Sequence, residues 1–234
     1  MEISNQNLRR YRENGFAQIQ GWCNPQVFNT VDLFDSAPIN KTGGVCEIGV
    51  HHGKLYLLLN QVTAPEATSY AIDVFDAQRL NIDKSGAGDR KIFERNLTEF
   101  DAHKGRNTQI ISGDSTDSGL QLAKTIEPGS LRFFSVDGGH SAEHTISDLK
   151  IASQLVANEG VVILDDVSNH HWLGVIEGAH IFLATRPTLV PFGIGANKMY
   201  LAKISYQKLY FDLLAKSPLK QKIVTFLGHS LVAM

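Results

Sequence analysis

The sequence predicts an α/β protein: a three-layer sandwich around a mostly parallel seven-stranded sheet that ends in an antiparallel hairpin. Three observations predict it. Short apolar runs alternate with helical segments from Gly44 to about Ile204. The runs are continuously apolar rather than alternating, so both faces of each strand are expected to be buried. The last two strand candidates, 188–194 and 198–204, are separated only by Gly195-Ala196-Asn197. Three residues cannot hold a crossover helix, so this pair must be a hairpin.

The elements follow in order. Residues 1–43 read as a polar helical extension, in which Asn24-Pro25 is a helix start with a cap followed by proline at the first position. The parallel strands are expected at 44–48, 69–74, 108–112, 131–136 and 161–165. Helices are expected at 53–62, about 89–102, 118–126 and 142–157, with Gly160 stopping the last. Strands alternating with helices imply right-handed crossovers. No helix is assigned between Asp166 and Thr188. Residues 44–204 thus form the ligand-binding domain. Residues 205–234 are expected to be one or two amphipathic helices broken at Ser217-Pro218. Their apolar side chains (Leu209, Phe211, Leu213, Leu214, Ile223, Phe226, Leu227) would cover the sheet or bind a second subunit in a homodimer.

Composition removes several classes of function. The 234 residues suit one large α/β domain, 43% hydrophobic and 20% charged, as in globular proteins with a substantial core. A net charge of −2 gives no electrostatic footprint for nucleic acid. No run approaches membrane-spanning length, and the N-terminus has no apolar signal core. Two cysteines, Cys23 and Cys46, make no disulfide framework, which fits a reducing, cytoplasmic setting.

The segment V-C-E-I-G-V-H-H-G, residues 45–53, joins a strand to a helix through a glycine loop. Gly49 permits a sharp turn and Gly53 lets backbone approach a ligand. The pattern E-x-G-x-x-x-G is neither the dinucleotide fingerprint nor a Walker loop. It favours an adenosine ligand without phosphates, S-adenosylmethionine foremost; a plain turn is the alternative.

Ligands of open parallel sheets bind outside the carboxyl ends of the strands. The acids at those ends are Glu47, Asp73, Asp114, Asp137, Asp165 and Asp166. Asp73 is placed to accept from both ribose hydroxyls. Asp114, with Ser115, is placed at the adenine, or else caps a helix. Asp137, Asp165 and Asp166 lie at the ends of strands four and five. Carboxylates that close repel unless a cation intervenes, and a hard divalent ion, Mg²⁺ by default, resolves the conflict. The alternative is that the Asp165-Asp166 pair caps a turn. His140 follows Asp137 by three residues and titrates near neutrality, so it is the candidate base. His144 is one turn further, a spacing that could bind zinc, but the carboxylate surroundings suit harder ions. His170 and His171 either line the substrate mouth or are solvated. His51 and His52 would meet the cofactor by backbone only. Residues 76–96 form an insertion whose polar middle, Asp83 to Asp89, suits a lid, or is a plain surface loop.

These residues resemble the class I S-adenosylmethionine-dependent methyltransferases and, within them, the divalent-metal-dependent small-molecule O-methyltransferases. The resemblance covers about residues 43–204. It rests on Asp137, His140 and the pair Asp165-Asp166. The catechol type has lysine where this chain has His140, so Asp-x-x-His is closer to the macrolide-sugar type. The resemblance implies S-adenosylmethionine bound by Glu47, Gly49, Gly53, Asp73, Asp114, Ser115 and Asp137. It implies a metal held by Asp137, Asp165 and Asp166, with His140 taking a proton from a hydroxylated small molecule. Two other classes stay open: a metal-independent methyltransferase acting on nitrogen, carbon or a carboxylate, and a non-catalytic adenosine-binding domain.

Overall fold

A computed structural model describes residues 2–118 and 120–234. Two helices, α1 (Gln6–Asn14) and α2 (Gln26–Asp35), precede the sheet. Asn24 accepts from the backbone N of Gln26 at 2.9 Å, which starts α2. Then follow β1 (Gly44–Ile48), α3 (Lys54–Asn60), β2 (Ser69–Asp73), α4 (Arg90–Phe100), β3 (Thr108–Ser112), α5 (Leu122–Thr125), β4 (Leu131–Val136), α6 (Ala142–Leu155), β5 (Val156–Leu164) and α7 (Leu173–Ala184). The chain closes with β6 (Leu189–Gly195), β7 (Lys198–Lys203), α8 (Ile204–Ala215), β8 (Lys222–Phe226) and β9 (His229–Ala233).

The sheet runs β3-β2-β1-β4-β5-β7-β6-β9-β8. The first five strands of that order are parallel, and β7 pairs antiparallel with both β5 and β6. The hairpin turn puts Ala196 and Asn197 at φ 53 and 66, the primed geometry that matches strand twist. Two apolar cores lie on the two faces, which makes the three layers. Val45, Ala71, Phe133 and Ile163 pack with α1, α2, α3 and α8. Cys46, Ile72, Phe134 and Val162 pack with α5, α6 and α7. The alternation of neighbours between faces follows from the strand period of two. By the same parity Glu47 shares a face with Val45.

Three expectations are corrected. The sheet has nine strands, not seven, because residues 222–233 form a hairpin rather than helix. K-I-V-T-F is β-prone, Leu227 and Gly228 turn it at φ 50 and 80, and Val232 buries against β6. Ile223 and Leu227 are accordingly exposed rather than covering the sheet. Gly160 does not stop α6 but lies inside β5, where a Cβ would come within 2.8 Å of the Leu131 carbonyl. The unassigned stretch after Asp166 holds α7. Its Gly174 and Gly178 weaken the helical signal, and both serve close packing: a Cβ at Gly178 would meet Thr145 at 2.6 Å. A Cβ at Gly174 would meet the His140 carbonyl at 2.5 Å, so α7 presses directly on the site loop.

Candidate active site

A cleft of about 660 Å³ opens at the carboxyl ends of β1, β2, β4 and β5. Glu47, Gly49, Asp73, Asp114, Ser115, Asp137, Asp165 and Asp166 all line it, as does His140. Gly53 does not; it starts α3 at φ 89, and a Cβ there would strike the Phe93 ring at 2.7 Å. Gly49 is required for a different close approach. Its φ is 86, and a Cβ would fall 1.8 Å from the Asp137 carbonyl.

On the β1–β2 side, Asp73 Oδ2 accepts from His51 N and Oδ1 from Phe75 N, each at 2.7 Å. Burial pushes its carboxyl above the ordinary value despite those bonds. The His51 backbone therefore goes to Asp73. Asp114 caps its own turn, accepting from Thr116 N at 2.8 Å. Burial would raise its carboxyl, but the Thr116 bonds outweigh it and hold it low. His144 faces Asp114 at 3.7 Å rather than pairing with His140. Its Nδ1 lies 2.8 Å from Ser141 Oγ, at the α6 start. His170 and His171 lie ring against ring in a surface loop, tilted by 41°.

The β4–β5 side differs from expectation at one residue. Asp165 is buried and ion-paired with Lys198 Nζ, while its Oδ1 accepts from Asp166 N at 2.8 Å. Lys198 begins β7 and is itself buried, and the Asp165 charge outweighs burial to hold its ammonium well above the ordinary value. Asp165 is thus paired with an internal cation, Lys198, where the sequence points to a metal. Sequence spacing could not show this, because Lys198 lies beyond α7 and the hairpin turn. The set that does converge is Asp137, His140 and Asp166, each with a ligand atom within 4.8 Å of the others. Asp166 turns out of the strand at φ 60, so it faces His140 while Asp165 faces Lys198. Asn169 and Asn197 donate to its Oδ1 at 2.9 and 2.6 Å.

His140 is held on three sides. Its Nε2 lies 3.0 Å from Asp166 Oδ2, its Nδ1 lies 2.5 Å from Asp83 Oδ2, and its ring stacks on Trp172 at 4.4 Å and 15°. Burial alone would lower its pKa; Asp166 and then Asp83 overcome that and raise it. Deeper in the cleft, burial pushes Glu47 up to about 8, partly offset by Lys198. Burial and the nearby Asp165 charge raise Asp137 well above the usual range. Such acids await a cationic or hydrogen-bonding ligand. Among the described residues Glu47 Oε2 has no hydrogen-bond partner.

A family model described as a methyltransferase domain matches residues 46–167. The chain belongs to that family. The methyltransferase uses S-adenosylmethionine as its methyl donor. Its fold is shared with solved structures of low identity. An O-methyltransferase from Bacillus cereus in complex with SAH is 14% identical at a TM-score of 0.56, covering 86% of this chain and 92% of that one. An apo TDP-rhamnose 3'-O-methyltransferase of calicheamicin biosynthesis is 14% identical at 0.54, covering 83% and 86%. A Corynebacterium glutamicum protein is 12% identical at 0.56, covering 87% and 92%. No curated protein matches the methyltransferase by sequence. Among the described residues no helix is long and apolar enough to cross a membrane.

Proposed function

We propose that the methyltransferase is a small-molecule O-methyltransferase, assisted by a divalent cation such as Mg²⁺ and acting on a sugar, phenol or other vicinal diol. The observation that carries the reading is the convergence of His140, Asp137 and Asp166 in the same cleft as Asp73 and the Gly49 loop. It is supported by the solved O-methyltransferases of like fold, one of which is titled as acting on a rhamnose.

Asp73 would accept from the ribose, with the Gly49 loop close beneath the cofactor. Asp114 and Ser115 line the same cleft for the adenine. Glu47 and Asp137 would face the amino-acid end. When bound, the sulfonium supplies an already activated methyl group. The acceptor oxygen must then lose a proton and be held in line. His140 Nε2 would take that proton, an effect worth about 10²–10⁴-fold in rate. Asp137 and Asp166 fit a hard cation through their oxygens, and the raised Asp137 carboxyl is relieved by one. A cation there would make the acceptor hydroxyl more acidic.

One specific observation favours a variant of this reading. His140 presents Nε2 to Asp166 and Nδ1 to Asp83, the arrangement of a metal-ligating histidine backed by a carboxylate. A single experiment separates the two. In His140→Ala, Mg²⁺ affinity should be retained if His140 is the base and lost if it is a ligand. Retained turnover in that variant, together with indifference to EDTA, would contradict both and point to a metal-independent reaction on nitrogen, carbon or a carboxylate. A homodimer through the C-terminal region remains the proposal for assembly, tested by light scattering.

A further inference from the structure

The segment between β2 and α4 reaches across the cleft as a strap. It leaves β2 at Asp73, passes a 3-10 turn at Gln78–Leu80 and re-enters helix at Arg90, capped by Asp89. Near its return, Gly88 passes against Asp73, where a Cβ would lie 2.8 Å from Oδ1. Its middle touches the opposite side of the site. There Asp83 Oδ2 accepts from the backbone N of His140 at 2.9 Å and faces its Nδ1 at 2.5 Å. Asp83 Oδ1 accepts from Ser85 N at 3.1 Å and from Ser85 Oγ at 2.7 Å. One carboxylate therefore ties the shape of the strap to both the backbone and the ring of His140.

We infer that Asp83 is a positioning residue for methyl transfer. The strap delivers it, and its carboxylate fixes a proton on His140 Nδ1 and so aims Nε2 at Asp166 and the acceptor. The inference rests on the reading above that His140 serves the reaction, as base or as ligand. The physical need is specific. Stacking on Trp172 fixes the plane of the ring, but it does not decide which nitrogen carries the proton. The nitrogen offered to the reaction is set by the hydrogen bond that the other nitrogen makes. Asp166 alone would hold the proton on Nε2, so the two carboxylates compete for the tautomer. Asp83 breaks the tie, and because it rides on the strap, the ring is set only when the strap lies over the cleft.

The test uses the full chain labelled with ¹⁵N-histidine, in the presence of S-adenosylhomocysteine. Wild type should show a solvent-protected Nδ1–H resonance, assigned by its loss in His140→Gln. That resonance should disappear in Asp83→Ala and return in part in Asp83→Asn, whose amide oxygen still accepts. Ser85 Oγ also lies 3.4 Å from His140 Nδ1, so Ser85→Ala, which keeps the carboxylate, should weaken the solvent protection of the resonance without abolishing it. Persistence of the resonance in Asp83→Ala, or its absence from wild type, would overturn the inference. In turnover, Asp83→Ala should lower kcat about 10–100-fold with the KM for S-adenosylmethionine unchanged. The loss should vanish in a His140→Ala background, because the two substitutions act through one group. An additive loss there would instead assign Asp83 to the strap alone. If His140→Ala turns over like wild type, the proposed function fails. If His140→Ala is inactive while Asp83→Ala runs at full rate, only the positioning role fails.

Discussion

The two edges of the sheet handle buried polar groups in opposite ways. At the amino ends of the strands, Asn60 donates to Asp101 at 2.9 Å and accepts from Ser69 Oγ at 2.8 Å. Asp101 Oδ2 accepts in turn from the backbone of His103 and Gly105. Arg132 pairs with Asp35 at 2.8 Å and donates to the Val62 carbonyl, which staples α2 to β4. At the carboxyl ends, Glu47 has an orphaned oxygen and a carboxyl raised to about 8, and Asp137 is raised well above its ordinary value. Burial also pushes Asp148, beneath the Gly138 loop, up to about 7. The first network thus pairs its charges internally, although Arg132 Nε finds no partner among the described residues, and the second leaves its raised carboxyls to a ligand. Polarity at the first edge serves stability, and at the second it serves binding and chemistry.

The sharpest break between the edges is expected from one substitution at each. His140→Ala should lower kcat by about 10²–10⁴ while the melting temperature stays near that of wild type. Asn60→Ala should cost about 3 kcal/mol of stability, with kcat of the folded fraction unchanged. Kinetics and thermal unfolding on both variants check this, and a His140→Ala protein that is chiefly unstable would merge the two edges.

Lys198 is the exception at the binding edge, a structural cation inside the site. Lys198→Met should destabilise the fold by about 3–5 kcal/mol, because it leaves Asp165 buried and unpaired. Adding Asp165→Leu should recover most of that loss. Denaturant unfolding measures both, and a stable Lys198→Met single variant would mean that the pair is dispensable.

A smaller effect is expected at Asp73. Asp73→Ala should weaken S-adenosylmethionine binding by about 1.5–3 kcal/mol, the range for hydrogen bonds to a charged group. Calorimetry that finds wild-type affinity would remove Asp73 from the cofactor site.

The smallest effect is a pH slope. Glu47 titrates near 8 in the fold and near about 4.3 in the unfolded chain. Between those values the native state holds a proton that the unfolded state has lost. Its contribution to stability is therefore full below about 4.3, falls as pH rises and is gone above 8. Glu47→Gln should abolish this component, so the variant's melting temperature should gain on wild type as pH climbs from 5 to 8. Parallel curves would show that Glu47 is ionised in the fold.

The sequence made legible whatever is local. Four of the five parallel strands carry their own apolar runs, and β1, β3 and β4 begin and end where those runs do. The Gly49 turn and the acids at the strand ends were equally readable, since each depends on a few neighbours. Three features were not. Helix α7 was hidden because Gly174 and Gly178 serve tight packing rather than helix propensity. The β8–β9 hairpin was hidden because Leu213, Leu214, Ile223, Phe226 and Leu227 fit a helical stripe as readily as a strand. The partners of Asp165 and His140, namely Lys198 and Asp83, come from a hairpin and a strap far away in the chain. Only the assembled sheet brings them in, and they decide which acids remain free for a ligand.

Methyl transfer to oxygen at His140, as proposed, can be followed through the methyl carbon itself. S-adenosylmethionine carrying a ¹³C-methyl group is incubated with the enzyme, Mg²⁺ and a panel of sugars, catechols and amines, and the products are read by NMR. Methoxy carbons are expected from vicinal diols, and none in His140→Ala. Label appearing on nitrogen or carbon, or methoxy products formed equally well without His140, would contradict it.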